Sequence, residues 1–274
     1  LTFDGVNTPT ALVEQMATGE ALVVVANAEP DAAPSFVNTH SRLQRVDGGY
    51  RLVGEKVFAA GGGSATHFIV TARLGDKFAY VLVDRNAQGL AVNHYSTYDG
   101  RSGANLVLDV LVPEDGLIAT GETAILAFAK ARIRVALLAS AETLGAMEAA
   151  LEATVDYTKQ RIQFGQPLAS FQALQHRMAD MLIQVEMCRS LVEAACRAHD
   201  EGTEDEHQLV LATKVKVATA GRAITQEAIQ LHGGIATTDE YIVGHYFKRV
   251  AALDSWIVSR DEALDKFIAV VDAA

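Results

Sequence analysis

The chain has 274 residues, of which 50% are apolar and 21% charged, so it can bury a large core and is not expected to be intrinsically disordered. Its formal net charge of −11 argues against a nucleic-acid partner, because binding to phosphates requires clustered lysine and arginine. The longest uncharged apolar run, residues 21–28, is too short to span a bilayer, and no signal peptide is visible. We therefore expect a cytoplasmic protein without membrane segments.

Two patterns follow one another in the first part of the chain. Residues 11–27 have a helical pattern, and we assign residues 1–35 to the remnant of a further helical region. Between residues 36 and 118, short alternating runs are separated by turn signals. The runs of strand-like length are residues 50–58, 67–72, 77–83, 90–95 and 106–112. This spacing predicts a small antiparallel β domain over residues 36–118.

Residues 119–274 change to the period of helices. One apolar stripe steps at three or four residues from Phe171 to Ala195, and a second runs from Leu209 to Leu231. Two adjacent glycines close the second stripe, as is typical of a helix C-terminus. Long helices joined by short polar loops predict an antiparallel four-helix bundle, and the fold class is therefore α+β.

Several kinds of site can be excluded from the sequence. It contains no nucleophile elbow, zinc-protease helix, P-loop or pair of Cys-x-x-Cys motifs. Cys188 and Cys196 lie on one predicted helix, too far apart to be bridged, so we expect free thiols. The glycine run at residues 61–63 lies between predicted strands and indicates a turn rather than a phosphate cradle. The histidines are scattered without ligand spacing, and no metal site is predicted.

Two segments combine residue types that suit a nucleotide cofactor. In the first, residues 161–172, Arg161 supplies a fork of donors for a pyrophosphate and Phe164 an apolar face for a ring. In the second, residues 230–249, two adjacent glycines let a ligand approach the bare backbone. Each segment alone also fits a simpler interpretation, a helix junction for the first and a helix C-cap for the second.

In this order and at this separation, the two segments resemble the bundle-domain signatures of the acyl-CoA dehydrogenase family, and the resemblance extends over essentially the whole chain. It implies a middle β domain followed by a C-terminal four-helix bundle, with the family's N-terminal helical domain largely absent. It also implies FAD at a subunit interface, where one subunit's β domain holds the flavin and the neighbour's bundle adds contacts. By position, these FAD contacts fall on Arg161, Phe164, Leu168, Gln172, Gln230, Gly233 and Gly234.

The chain departs from the family pattern in the flavin-side half of the site. The family's FAD loop reads threonine-glutamate-proline, then glycine, serine and aspartate, whereas residues 28–35 lack the glycine-serine pair. The tryptophan and the hydroxyl residue beside the flavin are replaced by Phe58 and by Ala59 and Ala60. The resemblance therefore implies that this half of the site is weakened in this chain.

The family's catalytic carboxylate is also missing. Its usual position falls near Ile257, and its alternative position, on the first bundle helix, falls near Val135; neither side chain can take a proton. The general base must lie within hydrogen-bond reach of the α-proton of the thioester. Asp254, one helical turn before Ile257, is the candidate for a relocated base, and the simpler interpretation is a solvent-facing aspartate.

These observations predict a subunit that lends bundle residues to an FAD held by a homologous catalytic subunit, in a heterotetramer. The Asp239 to Arg249 phrase looks most like the small subunits of two-component enzymes such as pimeloyl-CoA dehydrogenase. The resemblance implies an acyl-CoA substrate, dicarboxylic or bulky and alicyclic, and an electron-transferring flavoprotein as acceptor. Two alternatives stay open: a self-sufficient homotetrameric dehydrogenase that uses Asp254 as base, and a flavin-free scaffold paralogue.

Overall fold

A computed structural model describes residues 6–7, 9–30, 39–256 and 258–272 of the chain. The chain divides into two compact units, residues 1–129 and residues 130–274. Within the described ranges, no helix combines the length and apolar character needed to cross a membrane. The same ranges contain no group of three or more His, Cys, Asp or Glu side chains placed to hold a metal ion. Cys188 and Cys196 are free, as predicted.

A sheet of eight strands forms most of the first unit. The strands are β1 (Val23–Ala26), β2 (Arg42–Val46), β3 (Gly49–Ala60), β4 (His67–Leu74), β5 (Lys77–Asp84), β6 (Leu90–Ser96), β7 (Ser102–Pro113) and β8 (Leu117–Thr120). Their order is β6-β7-β3-β2-β4-β5-β8, and β1 pairs with β4 off this path. The sheet is mainly antiparallel, as predicted, but β1 and β2 each pair with β4 in parallel.

The core of the sheet follows the period of two that is typical of half-buried strands. On β3, Tyr50 and Leu52 are buried while Arg51 and Val53 are exposed. All five predicted strand runs lie within observed strands. The glycines at 61–63 form a turn between β3 and β4, as predicted, in which Gly61 N donates a hydrogen bond to the Ser102 carbonyl at 2.7 Å.

The helical prediction for residues 11–27 was wrong over its second half. Helix α1 (Thr10–Thr18) ends at Gly19, whose φ of 79° is left-handed and costs little without a Cβ. Residues Val23–Ala26 form strand β1 instead, in register with His67–Val70 of β4. A run of three valines favours a strand once a neighbour offers its backbone groups, and this tertiary pairing overrides the helical pattern.

The remaining helices are α2 (Gly121–Gln160), α3 (Gln172–Glu201), α4 (Glu206–His232), α5 (Ile242–Ser255) and α6 (Arg260–Asp272). Helix α2 begins in the first unit and ends in the second. The predicted stripes face the bundle core, with Met181 and Val185 buried on α3 and Val217 and Ile224 on α4. Gly202 ends α3 in the left-handed conformation. Helix α4 packs against α3, α5 and α6, which makes it the central helix of the bundle.

Candidate functional site

The first signature segment folds as a tight hairpin between α2 and α3. Strands β9 (Ile162–Gln163) and β10 (Gln166–Pro167) pair with Gln166 opposite Gln163. The two connecting residues, Phe164 and Gly165, have φ angles of 54° and 83°. Positive φ at both positions is the signature of the type I′ turn, whose twist matches that of the flanking strands. The hairpin is closed by Leu168 N, which donates to the Arg161 carbonyl at 2.9 Å.

The tip of this hairpin presents a phenylalanine to solvent. The Phe164 residue is 89% exposed, and its ring lies perpendicular to that of Phe171, with the two centroids 6.1 Å apart. A bulky residue in the left-handed region is strained, and such strain concentrates at ligand sites. Neither burial nor the backbone preference of phenylalanine accounts for Phe164 at this position.

Arg161 and Gln172 frame the hairpin with polar groups. Both side chains are exposed, and Arg161 has no carboxylate partner within the described part of the chain. Gln172 is the first residue of α3, and no side chain caps this helix N-terminus. The unpaired backbone N–H groups and the helix dipole favour an anion there. Leu168 is half-buried at the foot of the hairpin. The segment therefore offers a cation, an aromatic ring and amide donors side by side.

The second signature segment ends α4 with exposed backbone. Gly233 has φ 69° and ψ −148°, a conformation that is essentially restricted to glycine. A Cβ added at Gly233 or Gly234 would meet no atom within 4 Å, so the space beside both residues is open. Gln230 is exposed in the last turn of α4. This turn can therefore admit a ligand against its main chain, which a side chain would prevent.

A stack of aromatic rings brings the two segments to the same end of the bundle. The rings of Tyr157 and His232 are stacked with centroids 4.5 Å apart, and the Tyr241 ring lies 5.0 Å from His232. Tyr157 is four residues before Arg161, whose N–H donates to the Tyr157 carbonyl at 2.8 Å. Because His232 immediately precedes Gly233, the stack places the hairpin beside the glycine turn.

Gly233→Ala is expected to lower the free energy of unfolding by about 1–3 kcal/mol, because alanine is strained at the φ and ψ of this position. Gly234→Ala is the matched control, since Gly234 lies in a 3₁₀ helix without a left-handed φ and has open space around it. Urea unfolding of both variants checks the prediction. Equal losses of stability at the two positions would contradict the assigned backbone conformation.

In the first unit, Phe58 occupies a second strained position. Its φ is 53°, and the pairing of β3 with β7 shifts register between Lys56 and Ala59, so Phe58 lies on a β-bulge. Phe58 is 49% exposed, and its N–H donates to Asn105 Oδ1 at 3.1 Å. The Tyr95 hydroxyl donates to the same oxygen at 3.3 Å. Bulges that re-aim a side chain are frequent next to active sites.

A buried ion pair lies directly behind this bulge. Lys56 is completely buried, and its ammonium group donates to Glu29 Oε1 at 2.5 Å, Thr71 Oγ1 at 2.9 Å and Thr39 Oγ1 at 3.0 Å. The Glu29 carboxylate also accepts from Ser41 N at 3.0 Å and from Ser41 Oγ at 2.6 Å. Burial alone would raise the pKa of Glu29, but these hydrogen bonds, chiefly that from Lys56, lower it to about 2.

Two of the sequence-based predictions fall outside the described residues. These are residues 31–35 of the departing FAD loop and Ile257 at the usual base position. Val135, at the alternative base position, lies half-buried on α2 and offers no carboxylate. Asp254 lies in the last turn of α5, where its Oδ1 is shielded from solvent and makes no hydrogen bond within the described ranges.

Asp254 is not brought together with the other predicted site residues of the bundle. Its neighbour is Lys214, whose ammonium group donates to the Leu253 carbonyl at 2.7 Å. Burial lowers the pKa of Lys214 to about 8, and the charge of Asp254 opposes this shift. Lys214 and Gln230 both lie on α4, roughly 24 Å apart along the helix axis at the usual rise per residue. Asp254 therefore belongs to a different part of the bundle from the hairpin.

Several residues that hold these features in place were not predicted from the sequence. Lys56 sits at an inward position of the alternating strand β3, and a lysine in that phase was a signal of a buried partner. Tyr157 and Tyr241 carried no such signal, because each is an ordinary aromatic residue near a helix end. The partnership of Asn105 with Phe58 likewise follows from strand pairing alone.

Comparison with known proteins gives a consistent result. The family model described as acyl-CoA dehydrogenase, C-terminal domain, matches residues 122–256. Acyl-CoA dehydrogenase IpdE2 of Mycobacterium tuberculosis is 41% identical over 129 residues, which are 47% of this chain and 39% of that protein. An acyl-CoA dehydrogenase of Bacillus subtilis is 31% identical over 242 residues, 84% of this chain and 63% of the relative.

Solved structures share the fold over nearly the whole chain. The structure titled "PigA with FAD and proline" superposes with a TM-score of 0.88 at 25% identity, over 96% of this chain and 71% of that one. Among the curated relatives, the chain spans less than two thirds of the length of the proteins it matches. The matched region includes both signature segments.

Proposed function

The chain belongs to the acyl-CoA dehydrogenase family, and we propose that it is a subunit of an FAD-dependent dehydrogenase that forms the α,β double bond of an acyl-CoA thioester. In this proposal the chain lends its bundle residues to an FAD held in the β domain of a homologous catalytic subunit. The relatives named as acyl-CoA dehydrogenases support the reaction class. The proposed division of roles between this chain and a catalytic partner subunit is based on the residues of this chain.

The observation that carries the proposal is the exposed end of the bundle. Arg161, the strained Phe164 tip and the bare turn at Gly233 have no partner group that explains them within the described residues. A scaffold without cofactor has no physical need for this combination. A cofactor with a pyrophosphate and planar rings would use all three features.

FAD fits the groups that this end of the bundle offers. Arg161 would pair with the pyrophosphate, Phe164 and Leu168 would contact rings, and Gln172 and Gln230 would donate amide hydrogen bonds. The positive end of α3 would add to the attraction for phosphate. When bound, FAD supplies the hydride acceptor of the family's reaction. PigA, whose solved structure is a complex with FAD and proline, shares the fold at 25% identity, which supports this cofactor.

The catalytic carboxylate is proposed to come from the partner subunit. The alternative base position holds Val135, which cannot take a proton, and Asp254 is paired electrostatically with the buried Lys214. A general base must reach the α-proton within about 2.6–3.2 Å, directly or through one water. The Asp254 Oδ1 atom is shielded from solvent, and the residue is half-buried beside Lys214 rather than at the hairpin.

The remaining parts of the proposal concern partners. The substrate class is an acyl-CoA thioester, and the final acceptor is an electron-transferring flavoprotein, as is usual for the family. We prefer a heterotetramer of two pairs to a homotetramer. In a homotetramer, every copy would have Val135 at the alternative base position, where a catalytic carboxylate is needed. The proline in the PigA complex makes an amino acid the competing substrate class.

Asp254→Asn in this subunit is expected to leave the rate of flavin bleaching unchanged, because the partner supplies the base. The measurement is anaerobic bleaching of the flavin absorbance by an acyl-CoA, in an assembly with a full-length homologue that keeps the family's catalytic carboxylate. Removing a true general base would slow the reaction by about 10²–10⁴-fold. A loss of that size on Asp254→Asn would instead establish a relocated base in this chain.

A further inference from the structure

His232 lies where three helix ends of the bundle meet. It is the last residue of α4, and it is only 4% exposed. Tyr157 comes from the end of α2, and Tyr241 directly precedes α5. The three rings form a closed cluster, since the Tyr157 and Tyr241 centroids are also within 6.3 Å of each other. No other residue of the described bundle joins these three helix ends through stacked rings.

The imidazole is fixed by its own hydrogen bond as well as by the rings. Its Nδ1 donates to the Ala228 carbonyl at 2.7 Å, one turn earlier on α4. Burial lowers the pKa of His232, against the opposing effect of the backbone hydrogen bonds. The two tyrosine rings cover the imidazole within the buried cluster. The orientation of the imidazole ring is therefore fixed by the Ala228 carbonyl and by the rings of Tyr157 and Tyr241.

Each neighbour of His232 continues directly into a segment of the candidate cofactor site. The Tyr157 carbonyl accepts from Arg161 N, the first residue of the hairpin segment. Gly233 follows His232 in the chain, and Ala236, in the same turn, is buried against α5. A Cβ at Gly244 of α5 would come within 2.7 Å of the Ala236 carbonyl, so this turn is packed tightly from the far side. The imidazole therefore contacts residues that adjoin both segments.

We propose that His232 is a positioning residue, whose ring fixes the hairpin of residues 161–168 relative to the glycine turn of residues 230–234. The two segments are more than 60 positions apart in sequence, so their spacing depends on contacts between the helix ends. The consequence for flavin binding rests on the proposed function. The mechanical coupling between the two segments does not, because it belongs to this chain without any ligand.

Hydrogen exchange by mass spectrometry on the full-length, flavin-free chain tests the coupling. His232→Ala is expected to speed amide exchange at least about fivefold in peptides covering both residues 157–168 and residues 228–241, because the hairpin and the turn lose their common contact. His232→Phe keeps a ring of similar shape and is expected to restore protection in the hairpin peptide. Faster exchange confined to residues 228–241 would overturn the proposal.

Two further variants separate positioning from general stability. Leu211→Ala removes a buried side chain from the other half of α4 and is expected to lower the melting temperature without faster exchange in residues 157–168. Tyr157→Leu, on α2, is expected to loosen residues 228–241 reciprocally and serves if His232→Ala does not fold. If Tyr157→Leu leaves that peptide protected, the coupling does not exist.

The proposed function is tested separately by the flavin content of the assembly with each variant. Coupled exchange together with lower flavin content in His232→Ala supports both proposals. Coupled exchange with unchanged flavin content keeps His232 as a positioning residue and contradicts the role of these segments in binding FAD.

Discussion

Lys56→Met is expected to lower the free energy of unfolding by about 3–5 kcal/mol, since it leaves the Glu29 carboxylate buried without its cation. The two side chains are 0% and 3% exposed, so water cannot take over the role of the ammonium group. Thr39 and Thr71 would also lose the donor that they share. Urea unfolding followed by circular dichroism measures the loss, and Phe58, two residues away, lies in the region expected to loosen first.

Two controls define this result. The double variant Glu29→Gln with Lys56→Met removes both charges and is expected to recover part of the lost stability, because no unpaired buried charge is left. The ion pair of Arg51 and Asp109, on the opposite, exposed face of β3 and β7, is the matched surface pair. Arg51→Met is expected to change stability very little, because solvent screens exposed pairs. A Lys56→Met variant as stable as Arg51→Met would contradict the buried pair.

Arg161→Ala is expected to weaken FAD binding by the assembled enzyme by roughly 10- to 100-fold, the range for losing hydrogen bonds to a charged group. The side chain is exposed and has no carboxylate partner in the described part of the chain, so its removal should not destabilise the fold. The measurement is the flavin retained by the assembly after dilution, together with a melting curve of the chain.

Arg197→Ala supplies the matched control for this prediction. Arg197 is also exposed and lies near the opposite end of α3. The two variants make the same change in net charge, so a long-range effect of charge would lower flavin retention in both. Equal losses in the two variants would mean that Arg161 makes no direct contact with the cofactor.

The regular helices and strands could be predicted because the apolar or polar character of each residue indicates whether it is buried or exposed. The alternation in β3 and the stripes of α3 and α4 are local consequences of burial with periods of 2 and 3.6. Strand β1 was missed because its stability comes from pairing with β4, more than 40 positions away. The parallel pairing of β2 with β4 depends on the same long-range arrangement.

In the candidate site, too, locally determined features could be predicted and long-range contacts could not. Arg161, Phe164, Gly233 and Gly234 could be named because their residue types restrict charge, ring contact or backbone conformation locally. The conformation of Phe164 could not be predicted, since the type I′ turn is more often filled by asparagine and glycine. The stack of His232 on Tyr157 and the pair of Lys56 with Glu29 join distant positions, so they required the structure.

The most direct test of the central claim is the ratio of flavin to protein, measured by absorbance for the purified chain alone and for its assembly with a full-length homologous subunit. A shared site predicts a colourless chain when alone and one FAD per pair in the assembly. A chain that purifies alone as a yellow homo-oligomer with stoichiometric FAD, bleached by an acyl-CoA, would contradict the claim and show that this subunit is complete in itself.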